Sequence, residues 1–152
     1  MKRIILLLMM TLLIASCGPE NKVVEGTRIK PFHYKTFDTK DTQIMTKAII
    51  SAMEKERYIT KETRPELGII ITEFYENSTA PSAIGLPVPA VYMTTCTVRI
   101  KPTDDGKLSV CLYFVEKRVF RWSGSLQGIS YIEDEKVYEE WFTRIEKELP
   151  KK

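Results

Sequence analysis

Side chains able to do chemistry are few and scattered in this 152-residue chain. His33 is the only histidine, and no partner stands near it at the spacing of a metal site or a catalytic pair. Asp104 and Asp105 precede a glycine, which is typical of a tight turn, and the acidic residues 133–135 precede an apolar helical pattern, where negative charge stabilises a helix. No phosphate-binding glycine loop or serine nucleophile motif occurs. We therefore expect no enzyme activity, no metal and no cofactor.

The N-terminus has the layout of an export signal. A basic head precedes an apolar run, residues 4–14, which is shorter than the roughly twenty residues that a membrane span needs. The four residues that end in Cys17, IASC, resemble the bacterial lipobox, in which small residues precede a cysteine that is acylated and exposed by cleavage. The resemblance implies that residues 1–16 are a lipoprotein signal peptide and that Cys17 carries the lipid.

Lipidation would attach the mature protein to a membrane, because several acyl chains together give durable anchoring. Loss of Lys2 and Arg3 with the signal leaves 21 basic against 20 acidic residues, so the net charge falls from +3 to +1. A nearly neutral chain lacks the basic footprint of a nucleic-acid-binding protein. Gly18 follows the cysteine. In some Gram-negative bacteria an aspartate at this position opposes sorting to the outer membrane, so a glycine is compatible with that location. We expect a location in the cell envelope, on the periplasmic face of the outer membrane.

The mature chain divides into a short tether, residues 17–27, and one periplasmic domain, residues 28–152. Apolar residues at helical spacing predict two helices, at 42–57 and 133–149. Because the strands are grouped between the helices instead of alternating with them, we predict the α+β class, with an antiparallel sheet of four to five strands and both helices on one face. The predicted strands lie within residues 28–37, 68–75, 91–100 and 108–116, with a further extended segment at 118–125.

Short motifs mark the borders of these predicted elements. They are FDT with Asp41 at the entry to the first helix, YI at residues 58–59, LGI at residues 67–69, and a closing helix with Tyr138, Trp141 and Phe142. Together they resemble a group of small, poorly characterised envelope lipoproteins with an α+β domain. The resemblance covers most of the mature chain but only residues that determine the fold. It implies a role in the envelope by association and transfers no catalytic residue.

Two further cysteines, Cys96 and Cys111, lie in neighbouring predicted strands joined by a turn. Either a four-residue or a two-residue turn would place both on the same face of the sheet, though not directly opposite each other. A disulfide needs Cα atoms about 5.5 Å apart. Two alternatives follow: a disulfide between them, which an oxidising compartment would favour, or two buried thiols.

One segment stands out by its lack of charge. No charged residue occurs from Asn77 to Val98, although 28% of the chain is charged. Three prolines predict that residues 77–91 form a long loop. An exposed apolar loop would contact a partner or lipid, whereas the alternative is that it folds over the open sheet face and completes the core. The candidate contact residues are Ile84, Leu86, Val88 and Val91.

These observations lead to two hypotheses of function. The first is a non-catalytic accessory lipoprotein that is anchored by its N-terminal lipid and binds an envelope protein complex through the 77–91 segment. The second is a carrier or sensor of a lipid or another apolar ligand, held between the sheet and the helices.

Overall fold

A computed structural model describes residues 29–81 and 86–150 of the chain. The predicted signal peptide 1–16, the predicted lipidation site Cys17 and the predicted tether 17–27 lie outside the described residues. The elements are β1 (Tyr34–Phe37), α1 (Thr42–Lys55), β2 (Ile59–Arg64), β3 (Ile69–Pro81), β4 (Pro87–Pro102), β5 (Leu108–Phe120), β6 (Leu126–Tyr131) and α2 (Glu135–Glu148), with 3₁₀ turns at Pro31–His33 and Pro65–Leu67.

All six strands belong to one antiparallel sheet in the order β2–β3–β4–β5. The far side of β5 is shared by two strands: β1 pairs with its first residues, 108–111, and β6 with its later residues, 115–119. The predicted α+β class is therefore confirmed, but the sheet has six strands within residues 29–81 and 86–150, and not four to five. β2 and β6 are not predicted from the sequence because both are mostly exposed and lack a regular apolar alternation.

Both helices form where helical spacing predicts them. α1 begins at Asp41, whose carboxylate accepts the backbone N–H groups of Gln43 and Ile44 at 2.8 and 3.0 Å. α2 begins at Asp134, which accepts the N–H of Lys136 at 3.0 Å. The buried helical residues are Met45, Ala48, Ile49, Ala52 and Met53 on α1 and Tyr138, Trp141, Phe142 and Ile145 on α2.

The core lies between the helices and one face of the sheet. Alternate residues of β4 and β5 face it, and the two strands contribute Cys96, Val98, Ile100, Leu108, Val110, Leu112 and Phe114. Aromatic rings fill the centre: the ring of Phe114 lies 5.6 Å from that of Trp141 and 5.5 Å from that of Tyr138, between ring centroids. Burial raises the pKa of Tyr138 to about 12, and its hydroxyl donates to the carbonyl oxygen of Ile132 at 2.7 Å.

His33 is a core residue. It lies in the 3₁₀ turn before β1, and its side chain is 2% exposed. Its ring stacks on Tyr138 at 4.5 Å between centroids, and its Nδ1 accepts the backbone N–H of Lys30 at 3.4 Å. Burial, helped by the nearby Lys30 ammonium and opposed by Glu133, lowers the pKa of His33. The neutral imidazole therefore acts in packing.

The prediction of a long loop at residues 77–91 is wrong. β3 continues to Pro81 and β4 begins at Pro87, so that Asn77 lies opposite Val91 in a long hairpin. Proline occurs here because β2 pairs with β3 only as far as Glu73, so β3 has a free outer edge beyond it, and because β5 pairs with β4 only from Ala90 onward. A proline whose missing N–H would point to a free edge removes no hydrogen bond from the sheet.

Cys96 and Cys111 are both buried and both free. Cys96 lies opposite Phe114, whereas Cys111 lies opposite Arg99, so the two thiols point to opposite faces of the sheet. The expected same-face arrangement is wrong, because the actual register differs by one residue from either alignment considered and such a shift reverses the faces. Of the two alternatives, the structure has the pair of buried thiols and no disulfide.

Candidate docking surface

The second face of the sheet is not covered by the helices, and we call it the open face. It carries the alternate residues of β3, β4 and β5 that point away from the core. Across the strands, Tyr75, Met93, Lys117 and Ile129 form one row, and Asn77, Val91, Val119 and Leu126 form the next. We call the apolar members of these rows the distal patch: Tyr75, Val91, Met93, Val119, Leu126 and Ile129.

The distal patch is apolar, and two cations lie beside it: Lys117 stands opposite Met93, and the Lys61 ammonium lies 5.5 Å from the centre of the Tyr75 ring. Tyr75, Leu126 and Ile129 are 45%, 53% and 43% exposed, while Val91 and Met93 are partly buried by their neighbours. A cluster of large apolar side chains at the surface is a typical feature of a binding site. In the sequence, the alternation of Val115, Lys117 and Val119 indicates one strand of this surface. The sequence of β6, which pairs with that strand, does not predict a strand.

Beyond the distal patch the β3–β4 hairpin continues as a two-stranded extension, residues 77–81 and 86–89, which we call the arm. Asn77, Ser78 and Thr79 are all exposed, and so are Leu86, Pro87 and Pro89. Because successive residues of a strand point to opposite faces, the exposure of Asn77, Ser78 and Thr79 leaves both faces of the arm open at these positions. The arm contains no charged residue.

The predicted contact residues fall on or beside the arm. Leu86 precedes β4 and is 60% exposed, and Val88 is partly buried opposite Ala80. Val91 belongs to the distal patch and lies between Asn77 and Val119. Ile84 lies outside the described residues. Leu86, Val88 and Val91 therefore lie on or beside one hairpin, with Val88 and Val91 on opposite faces of β4, and the distal patch, which the sequence does not predict, lies on the face of Val91.

The outer edge of the sheet is protected at β2 and open along the arm. β2 contains a bulge between Thr60 and Glu62, and the bulged Lys61 pairs with Glu73 at 3.4 Å and lies 5.5 Å from the centre of the Tyr75 ring. Bulges and charged side chains are the usual means by which an edge strand avoids pairing with another chain. Beyond Glu73, β3 has no described strand on its outer side. Along the arm that edge also lacks a charge.

The turn between β5 and β6 projects at the same end of the sheet as the arm. Every residue from Arg121 to Ser130 is exposed. Trp122 is 74% exposed, and its ring stacks on that of Phe120 at 6.3 Å. The backbone N–H of Arg121 donates to the carbonyl oxygen of Pro89 at 3.0 Å, which ties this turn to the arm.

The proximal part of the open face contains a groove of about 320 Å³. It is lined by Ile29, Thr97, Arg99, Cys111 and Tyr113. Burial raises the pKa of the Cys111 thiol, although the Tyr34 hydroxyl and the Arg99 guanidinium act in the opposite direction. Burial therefore disfavours the thiolate, which is the form of cysteine that acts as a nucleophile or metal ligand.

Within residues 29–81 and 86–150, no three His, Cys, Asp or Glu side chains lie together in a way that could hold a metal ion. None of the helices in that part of the chain is long and apolar enough to cross a membrane. A scan of protein-family models finds no match to the chain, and a search of curated proteins finds none either. The fold and the surface together define a small α+β domain with an open sheet face and an uncharged hairpin arm.

Proposed function

We propose that this protein is a non-catalytic accessory lipoprotein of the bacterial cell envelope, and that it binds an envelope protein complex through the arm. The observation that carries the proposal is the exposure of both faces of an uncharged hairpin. The centre of a protein–protein interface is depleted of charged residues, so an uncharged and uncovered strand pair has the composition of such a contact.

The free edge of the arm supports the same proposal. Every second residue of an edge strand directs its N–H and C=O groups outward, where an extended segment of a partner can add as a further strand. The guarded edge of β2 provides the internal comparison, because there a bulge and Lys61 oppose such an addition. The distal patch would add apolar contact area beside the strand.

The cellular location of the protein is part of the proposal as well. We propose that Cys17 carries the lipid after removal of residues 1–16, that residues 17–27 form the tether, and that the domain lies at the periplasmic face of the outer membrane. The first described residue, Ile29, lines the groove on the open face, so the tether would reach the domain on that side.

Photo-crosslinking in cells tests the protein contact. A photoreactive amino acid is placed at Ser78 or Val88 on the arm and, as a control, at Lys147 on the exposed side of α2. The arm positions should give a discrete adduct that mass spectrometry identifies as one envelope protein, while the control position gives none. The same adducts from all three positions would contradict the proposal.

Shortening the arm provides an independent check. Residues 79–89 are replaced by Asn-Gly, which joins Ser78 to Ala90 through a two-residue hairpin turn and keeps their pairing. The shortened chain should lose the partner identified by crosslinking and keep its melting temperature within a few degrees, because the exposed arm residues bury little surface. A large fall in melting temperature would instead indicate that the arm is part of the folded core.

The second hypothesis, a carrier of an apolar ligand, is favoured by one observation. The space between the sheet and the helices is filled at its centre by Phe114, Tyr138 and Trp141, but the groove at Cys111 is mostly apolar and open to a small molecule. Native mass spectrometry of the full chain would detect a bound molecule. Its loss in a Cys111→Phe variant, which fills the groove, would assign it to this place.

A further inference from the structure

The β5–β6 hairpin differs in charge from the rest of the domain. Its distal part, residues 117–132, contains three basic side chains, Lys117, Arg118 and Arg121, and no acidic one. Glu116, which pairs with Ser130 in the same hairpin, lies on the helix side of the sheet. Arg118 already makes a cation–π contact, since its guanidinium lies 4.7 Å from the centre of the Tyr92 ring. Lys117 and Arg121 have no ion pair to any described residue. Within the described part of the chain, two cations without an acidic partner therefore lie at this end of the sheet.

The same hairpin exposes large apolar side chains next to these cations. Trp122 is 74% exposed in the turn, and Leu126 and Ile129 follow on β6. Tryptophan has an apolar ring with one polar N–H, and it is enriched where proteins meet the headgroup region of a membrane. Basic residues beside such a ring attract the anionic headgroups of a bilayer, at about 1 kcal/mol for each charge near the surface.

We infer that this hairpin binds the surface of an anionic phospholipid bilayer, with Trp122 in the headgroup region and Lys117 and Arg121 against the lipid phosphates. The membrane is then a direct contact of the folded domain, in addition to the anchor at Cys17. Because the Arg121 N–H is bonded to Pro89, the arm lies beside the bilayer surface as well. A partner bound there would be one that lies in or on the same membrane.

The length of chain between Cys17 and Ile29 is compatible with this orientation. This step of the inference rests on the proposed lipid anchor at Cys17. Ile29 lies at the groove beside Cys111, and ten residues of extended strand from there to Arg121 span about 33 Å. Cys17 and Ile29 are twelve residue steps apart in the sequence, and this length of chain can reach about 40 Å when fully extended. A lipid in the bilayer that touches Trp122 can therefore be connected to Ile29.

Tryptophan fluorescence of the full chain in vesicles tests the inference. The vesicles contain phosphatidylethanolamine and phosphatidylglycerol with brominated acyl chains, which quench nearby indole rings. The chain has two tryptophans, and Trp141 is buried in the core at 5% exposure. Quenching should therefore come from Trp122 and should disappear in a Trp122→Phe variant. Absence of quenching, or quenching that persists in the variant, overturns the inference.

Charge variants test the electrostatic part. Each of Lys117→Gln and Arg121→Gln should lower the equilibrium constant for surface contact about fivefold, which corresponds to about 1 kcal/mol per charge. The matched control, Lys136→Gln with Lys147→Gln on the exposed side of α2, removes two charges and should leave the quenching unchanged. Equal quenching in vesicles of pure phosphatidylcholine, or equal loss in the control, overturns the role of the two cations.

The outcomes distinguish this inference from the proposed function. If the arm positions crosslink to an envelope protein and Trp122 is not quenched, the arm contacts protein and the membrane inference fails alone. If Trp122 is quenched and Ser78 gives no adduct, the membrane contact stands and the protein-binding proposal fails.

Discussion

The single histidine owes its properties to the groups that surround it. The ring of Tyr138 covers one face of His33, and the Lys30 backbone occupies its Nδ1, so the imidazole fits the core as a neutral aromatic ring. Its Nε2 is buried with no hydrogen-bond partner among the described residues. A charged ring in this place would lie beside the Lys30 ammonium in a poorly solvated site.

This environment predicts that stability depends on pH through His33. The pKa of His33 is lowered in the folded protein from an ordinary value of 6.5. Well above that pH, His33 is neutral in both the folded and the unfolded chain, so it does not lower the free energy of unfolding there. Below pH 6.5 the unfolded chain takes up the proton first, and stability falls by up to about 1.4 kcal/mol per pH unit until the folded state also titrates.

Urea unfolding between about pH 7.5 and 5 measures this slope. A His33→Asn variant keeps an acceptor for the Lys30 N–H and cannot titrate, so its stability should lack this component. The carboxylates whose pKa is lowered, Asp105 and Glu148, titrate at more acidic pH and contribute outside this range. An unchanged slope in the variant would show that another group is responsible.

Gly68 is the residue at which a single methyl group should be costliest. It has a φ of +62°, and a Cβ there would lie 2.2 Å from the carbonyl oxygen of Ile100. Gly124 has a similar φ of +65° and no atom within 4 Å of the same position. Both alanine variants lose about 1–2 kcal/mol for the left-handed conformation. Gly68→Ala should lose about 1–3 kcal/mol more for the steric overlap, measured by chemical unfolding. Equal losses would contradict the close approach to β4.

At the scale of the elements, α1 depends on its cap. Asp41 accepts two backbone N–H groups of the first turn, at 2.8 and 3.0 Å. Asp41→Ala leaves these donors without their partner and should lower the free energy of unfolding by about 1 kcal/mol. Asp41→Asn retains an acceptor oxygen and should lose much less. If both variants lost the same amount, the negative charge and not the hydrogen bonds would be the source of the stabilisation.

The helices could be predicted from the sequence because periodicity, caps and burial all agree there. β2 and β6 could not, because an exposed edge strand has no buried face and therefore no apolar alternation. The arm was predicted as a loop because prolines exclude a central strand, whereas the free edges that permit them depend on where β2 and β5 end. The faces of Cys96 and Cys111 depend on one residue of hairpin register, which turn composition alone did not determine.

The candidate site was located by its lack of charge, although its form was not. The first part of the uncharged stretch coincides with the exposed hairpin, and Leu86, Val88 and Val91 lie on or beside it, whereas Cys96 and Val98 in its second part are buried in the core. The distal patch combines single residues from β3, β4, β5 and β6, so it exists only once strand order and register are known. Long-range pairing of this kind leaves no local pattern in the sequence.

Across the whole molecule, burial is uneven along the sheet. At the proximal end, Val98, Val110 and Leu112 are completely buried beneath the helices. At the distal end, β6 is exposed except at Tyr131, and both faces of the arm are uncovered. Local opening is easiest where few apolar contacts must be broken, and binding segments are commonly drawn from such regions.

Native-state hydrogen exchange should therefore divide the sheet into two parts. Hydrogen-bonded amides of β5 near Leu112 should open only with global unfolding, at about 5–15 kcal/mol, whereas those of β6 and the arm should exchange through local opening at a much lower free energy. Residue-resolved exchange with increasing denaturant measures both, since only global opening depends steeply on denaturant. Adding anionic vesicles should slow exchange in β6, because the membrane contact inferred for Trp122 would remove this local opening. Equal protection of β6 and β5 without vesicles would contradict the division, and it would mean that the distal end is held by the same cooperative core as the helices.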